Sequence, residues 1–282
     1  MAMRRIKYEP VSQIKHTFLN LVERWPLMLF VILMDVTFLF FFGLIYKLYF
    51  DNIISHATNI MQQSSTMTSA LQSQDIYSAA PAAQFMSLEL FQIKKLAILL
   101  AISIFAIWVV FQAFNWWNAF RISGRKISYL SYLKTFTSAS AIWALLVSLT
   151  LYVSISVYFA NAMATSGGAE PEGIILDIGM IVAFAVIGYF ALVSYSLSGS
   201  LKDVFKKTVV FSFLKSRVFV AYIFVLAMLL IINFIVFGLW RILLGISDMP
   251  ALIIGIIFVL LFFVYARVYM INVVQELDKK KN

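Results

Sequence analysis

The chain has 282 residues, of which 62% are hydrophobic and 12% charged, with a mean hydropathy of +0.92 and a formal net charge of +9. Soluble domains carry about 25% charged residues, so this composition excludes a water-facing globular fold, and a single membrane domain without a soluble catalytic domain is expected. The absence of cysteine also excludes disulfides, thiolate catalysis, iron–sulfur clusters and thiolate zinc sites.

The N-terminal stretch MAMRRIKYEPVSQIKHTF is charged and amphipathic and lacks a small-residue cleavage site. No removable signal peptide is expected, and the first span serves as its own insertion signal. That span, from Pro26 to Tyr46, carries one charge, Asp35. It is long enough to cross a hydrocarbon core of about 30 Å at ~1.5 Å per residue. Five more apolar runs follow, placing spans near 26–47, 97–120, 138–161, 174–197, 218–240 and 250–270. The expected fold is an all-α polytopic membrane bundle of six transmembrane helices. Lys47, Lys94, Lys95 and Arg241 fall at one set of span ends, and the other eighteen of the 22 Lys and Arg fall at or near the opposite set. The positive-inside rule then predicts a multi-pass protein of the cell membrane with both termini cytoplasmic.

The chain also repeats. Three basic, amphipathic stretches, VSQIKHTFLNLVERW (11–25), KISYLSYLKTFTSAS (126–140) and LKDVFKKTVVFSFLKSR (201–217), each precede an outgoing span, an outer turn and a returning span. The second and third follow short joints, Ile122–Gly124 (ISG) and Leu197–Gly199 (LSG), whose glycines suit a left-handed helix stop. Arg24 and Arg217 match at the start of spans one and five. This predicts three tandem helical hairpins with cytoplasmic amphipathic lead-in helices. Ile127, Leu130, Leu133 and Thr135–Phe136 form the apolar face of the second lead-in, and Leu201, Val204, Phe205 and Val209 that of the third. The cations Arg24, Arg125, Lys126, Lys134, Lys202, Lys206, Lys207 and Arg217 are candidate contacts for anionic headgroups; alternatively, they only hold the topology. The layout of KISYLSYLKTF with the ISG and LSG joints resembles a loose group of six-span prokaryotic membrane proteins, including relatives of the membrane domain attached to some glycerophosphodiester phosphodiesterases. The resemblance implies the pattern of lead-ins and hairpins and transfers no activity or site residue.

The segment 51–95 departs from that group. Ile53, Ala57, Ile60, Ser64, Met67 and Leu71 recur at helical spacing, as do Phe85, Leu88, Phe91 and Lys95. Spans one and two are therefore expected to continue outward as an antiparallel stalk turning near Ser78–Ala83 (SAAPAA), open to a protein partner or to self-association. The other outer connections, 165–173 and 241–250, are too short to build a binding domain.

Charges within spans are costly and face the bundle interior. Asp35, about 13 Å beyond Pro26 on helical rise, and Arg267 in span six both fall in the cytoplasmic half, where a pair is geometrically possible. Otherwise Arg267 snorkels to headgroups, and Asp35 stays neutral or faces a cavity. Asn115 and Asn118 lie on one helical side and, with Asp35, Tyr195 beside Ser194, and Asn233, complete a candidate polar layer; Trp116 and Trp117 read as an interfacial belt. The ladders Ser140–Ala144–Ser148, Gly179–Ala183 and Ala97–Ala101 mark expected helix contacts.

The sequence holds no nucleotide loop, HExxH, GxSxG or pair of intramembrane aspartates. His16 and His56 fall on opposite sides of the membrane, so no metal or other cofactor is expected. The pI of about 9.6 reflects cations flanking spans, which points to lipid headgroups and not to nucleic acid. The leading expectation is a non-catalytic protein that organises lipid or scaffolds a complex. The alternative is a transporter or channel for a small or amphipathic solute using Asp35.

Overall fold

The structure, a computed structural model, describes residues 10–72, 76–165, 173–243 and 248–279. It consists of α1 (Pro10–Glu23), α2 (Trp25–Gln72), α3 (Ile76–Ile122), α4 (Tyr129–Thr165), α5 (Gly173–Tyr195), α6 (Leu201–Leu214), α7 (Ser216–Leu243) and α8 (Asp248–Lys279). All helices but α1 and α6 are long and apolar enough to cross a membrane, so the protein is an all-α polytopic helical bundle. The connections expected at 165–173 and 241–250 fall largely outside the described residues. The chain forms two compact units, Met1–Leu33 with Gln112–Asn282, and Met34–Phe111.

In the first unit, α8 holds the centre. Val264, Val268 and Ile271 on one face join a cluster with Leu21, Phe120, Phe136 and Tyr195. Phe262, Tyr269, Met270 and Val273 on the other face join a second cluster with Tyr189, Phe211, Val218 and Tyr222. Half of the most apolar window of α8 is buried inside the protein, against 11% to 22% in the other spans. Because lipid tails are as apolar as these side chains, close packing rather than water exclusion carries this association.

The lead-in helices reproduce one another in register. Pro10 and Glu23 bound α1 as Leu201 and Leu214 bound α6, and α2 and α7 restart two residues later at Trp25 and Ser216. The break between them has the same bonds in both copies. Arg24 N donates to Asn20 O (3.2 Å) and Leu27 N to Arg24 O (3.0 Å), while Lys215 N donates to Phe211 O (3.3 Å) and Val218 N to Lys215 O (2.9 Å). Arg24 therefore corresponds to Lys215 rather than to Arg217. The second lead-in starts in the same way: Tyr132 N donates to Ser128 O at 3.0 Å as Val204 N donates to Ser200 O at 2.9 Å. It does not form a helix of its own, however, and runs unbroken into span three as α4. The first copy has Pro26, which cannot donate to the Val22 carbonyl. The second has Ser-Ala-Ser-Ala-Ile-Trp, with nothing to interrupt the ladder.

Each lead-in docks on the returning helix of the preceding hairpin, and the first closes the cycle on the last. The start of α4 packs on α3 through Tyr132 and Phe120, ring centroids 5.4 Å apart. Helix α6 packs on α5, where Tyr189 Oη donates to Ser212 O at 3.1 Å. Helix α1 packs on α8, where Gln13 Nε2 donates to Glu276 Oε2 at 2.7 Å and Asn272 Nδ2 to Thr17 Oγ1 at 3.1 Å. The expected apolar faces are divided between protein and exterior, and the buried sets include polar residues. Those sets are Tyr132, Thr135 and Phe136 in α4 and Val204, Thr208 and Phe211 in α6, whereas Leu130, Leu201 and Val209 point outward. Docking on protein selects the face whose polar atoms find partners, as Tyr132 Oη does on Tyr195 O at 2.8 Å.

The joints are helix stops. Arg125 N donates to Phe120 O (2.9 Å) and Gly124 N to Arg121 O (3.0 Å), a Schellman pair with Gly124 at φ +81°. Gly199 also has positive φ, at +144°. Ser200 caps α6 by accepting from Asp203 N at 3.3 Å. Among the small-residue ladders, Ser140 is buried but Ser148, Gly179, Ala97 and Ala101 face outward. The tightest glycine approach is Gly255, where a Cβ would lie 2.8 Å from Val236 Cγ1 in the α7–α8 hairpin.

In the second unit α2 and α3 run antiparallel: Phe38 meets Trp108 and Phe111, and farther along His56 bonds Glu89. Helix α2, 48 residues long, extends about 72 Å, more than twice the hydrocarbon core. Helix α2 ends at Gln72 and α3 begins at Ile76, so Ser78–Ala83 lies within α3 and not at the turn, and Pro81 sits inside that helix. In the second turn of α3, Pro81 removes the one backbone bond that an N–H there would make to the Tyr77 carbonyl. The packed α3 seam is Ala82, Met86, Glu89, Ile93 and Leu96, matched by Ile53, His56, Ile60 and Gln63 of α2. Phe85, Leu88 and Phe91, which recur at helical spacing, are exposed, as is Ser64; Met67 and Leu71 lie outside the described side chains.

Gly124→Ala should cost about 1–2 kcal/mol, because a Cβ is strained at this positive φ and would meet the Arg24 guanidinium at 3.5 Å. Gly43→Ala, in a helix with nothing within 4 Å, should cost nothing. Thermal unfolding of the two variants in the same detergent checks the contrast.

Candidate functional site

A polar layer lies inside the first unit where α3, α4, α5 and α8 converge. Asn115 and Asn118 on α3 are fully buried, and Arg267 on α8 is 7% exposed. Arg267 Nη2 donates to Gln112 Oε1 at 2.8 Å. Helical spacing puts Gln112 one turn before Asn115 on the same side of α3, so its place in the layer was legible in the sequence. On α5, Tyr195 Oη accepts from Ser140 Oγ at 3.1 Å, and Ser194 Oγ accepts from Trp143 Nε1 at 2.9 Å. Tyr195 is buried at this level. Tyr132 and Trp143 are additional members, masked in the sequence by apolar neighbours, and Ser140, read there as a helix contact, joins them.

Asn233 is not part of the layer. It faces outward on α7, and its Nδ2 donates to Leu229 O of its own helix at 2.9 Å, which satisfies the amide without another helix. Asp35 is 3% exposed and belongs to the second unit, whereas Arg267 belongs to the first. Nor do the tryptophans form a lipid-facing belt. Trp116 is buried against Tyr195, with ring centroids 5.7 Å apart. Trp117 donates from Nε1 to Ile127 O at 2.9 Å and lies under the Arg121 guanidinium. The end of α3 is surrounded by α1, α4 and α8, leaving little of it for lipid.

The joints, lead-ins and C-terminal turns of α8 gather at one end of the first unit. There Gln275 Nε2 donates to Ser196 O at 3.2 Å, and Lys207 Nζ pairs with Asp278 at 2.8 Å. The candidate headgroup contacts divide into two sets. Arg24 is drawn inward, donating to the Arg121 and Ile122 carbonyls, the latter at 3.1 Å. Lys207 is held by Asp278. Arg125 and Arg217 are half-buried. Burial lowers the Arg125 pKa below the usual arginine range while nearby Asp278 acts in the opposite direction; arginine at this position stays cationic regardless. Lys126, Lys134, Lys202 and Lys206 are exposed.

These features define a multi-pass α-helical membrane protein with a buried polar layer and a basic end. Compared with protein-family models, with curated proteins and with solved structures, the chain finds no match.

Gln112→Leu should destabilise the first unit by about 1.5–3 kcal/mol, the range for a bond to a charged group, read as a lower midpoint of thermal unfolding. Arg24→Met should cost about 1–3 kcal/mol by leaving the α3 terminal carbonyls without that donor. Arg24→Lys should recover only part of this, because an ammonium does not reproduce the guanidinium fork.

Proposed function

We propose that this chain is a non-catalytic membrane protein that organises anionic lipid at the cytoplasmic leaflet, with both termini on that side. One observation carries the reading: Lys15, Lys134 and Lys206 occupy the same position in the three docked lead-ins, and all three are exposed. The buried partners at matching positions, Thr17, Phe136 and Thr208, turn toward the protein. Outward-facing apolar residues accompany each lysine: Phe18 and Val22, Leu130, and Val209 and Phe213. An apolar side chain for the acyl region beside an ammonium for the headgroup is the chemistry of an interfacial helix. Each lysine near an anionic surface contributes about 1 kcal/mol.

The test compares lipid retained by purified protein. The wild type should carry a several-fold excess of anionic over zwitterionic lipid relative to its membrane, and the triple variant Lys15→Gln, Lys134→Gln, Lys206→Gln should lose that excess while remaining folded. Equal enrichment in both proteins would refute the reading.

Burial of Asp35 inside an apolar helix favours a second reading, proton-coupled transport. It requires a pH-driven flux in proteoliposomes that Asp35→Asn abolishes, whereas the lipid-organising reading expects no flux from either protein.

A further inference from the structure

The stalk formed by α2 and α3 carries apolar surface where no bilayer can cover it. The first 23 residues of α2, Trp25 to Lys47, span about 33 Å and account for the hydrocarbon core. The His56–Glu89 contact sets the levels of the two helices, so Lys95 is level with Phe50 and Asp51, just beyond that core. Leu88 and Phe85 lie about 15 and 20 Å beyond Lys47 on helical rise. Leu88 is 59% exposed and Phe85 38%.

These residues belong to a second heptad line on α3. Ala82, Met86, Glu89, Ile93 and Leu96 pack against α2. Phe85, Leu88, Gln92, Lys95 and Leu99 repeat the same three-four spacing one residue earlier and face out. Beside the seam packed on α2, this line offers Phe85 and Leu88 as an apolar contact for a second neighbour. Helix handedness puts Asp51, Ser55 and Gln62 of α2 on the same side of the hairpin as Phe85, Leu88 and Lys95 of α3. All three of these α2 residues are exposed.

We infer that this side of the stalk is an interface between two copies of the chain. A bilayer fixes every copy at one height and in one direction, so a pair closes on a two-fold axis along the membrane normal. That rotation lays α3 of one copy against α2 of the other. It brings Lys95 opposite the partner copy's acidic group at position 51, twice over. Phe85 and Leu88 meet a surface of small and polar side chains such as Ser55, which leaves room for them. The opposite side of the stalk, with Ile54 and Leu90, lacks such a charge match at one height. The surface is far from Lys15, Lys134 and Lys206 along the sequence and uses none of them, so the lipid reading and this one fail separately.

Because the chain has no cysteine, the test is direct. Two differently tagged copies, one bearing Asp51→Cys and the other Lys95→Cys, are co-expressed and treated in native membranes with a short thiol cross-linker. A cross-linked heterodimer is expected for this pair, with little product from Ile54→Cys combined with Leu90→Cys. In the otherwise native chain, Lys95→Asp should reduce the dimeric fraction counted by single-molecule photobleaching in bilayers, and adding Asp51→Lys should restore it. Equal cross-linking at both pairs, no product at 51 and 95, or a dimeric fraction unmoved by charge reversal would each overturn the assignment.

Discussion

Every helix end leaves backbone donors and acceptors without intrahelical partners, and where protein packs over that end the partners must come from the protein. This chain interrupts its helices mainly at one end of the first unit and surrounds those interruptions with donors and acceptors. The Schellman pair at Gly124, the guanidinium of Arg24 on the α3 carbonyls and the amide of Gln275 on Ser196 O are answers to that one requirement. Helix α8 makes the arrangement possible. Its buried faces separate two apolar clusters, and its last turns supply Asn272, Gln275, Glu276 and Asp278 to the lead-ins and joints.

The cyclic docking of lead-ins explains why three short amphipathic segments are ordered. None is long enough to be a stable helix alone in water. Each is held by a returning helix, and α1 by α8. The register fixes which residues turn inward and which outward, so the lysine of each copy is displayed as a consequence of burying its neighbours. The unbroken second copy shows that the helix break is dispensable to this docking; Pro26 interrupts the ladder in the first copy, whereas the third breaks at Lys215 without a proline.

Much of this was legible in sequence. The spans follow from uninterrupted apolar length, the joints from glycine where φ must be positive, and the polar layer from amides at helical spacing. Other features were hidden for identifiable reasons. Two heptad lines lie side by side on α3, and the line with the larger side chains, Phe85 and Leu88, is the one whose helical spacing stands out, although the packed seam is built from Ala82, Met86 and Glu89. Pro81 reads as a turn because proline removes a helical donor, yet it is carried within α3. Trp116 reads as interfacial because its burial depends on three helices remote in sequence. The small-residue ladders marked outward faces, and the close contact fell at Gly255, whose neighbour Val236 gives no signal of its own.

The account rests on the three lead-ins being structural equivalents at one end of the molecule. Single cysteines introduced as Lys15→Cys, Lys134→Cys and Lys206→Cys, probed with an impermeant maleimide in sealed right-side-out and inside-out vesicles, test it most directly. All three should react from the same side, the cytoplasmic one, and to a similar extent. Reaction of any one of them from the opposite side would contradict the shared register and the docking cycle built on it.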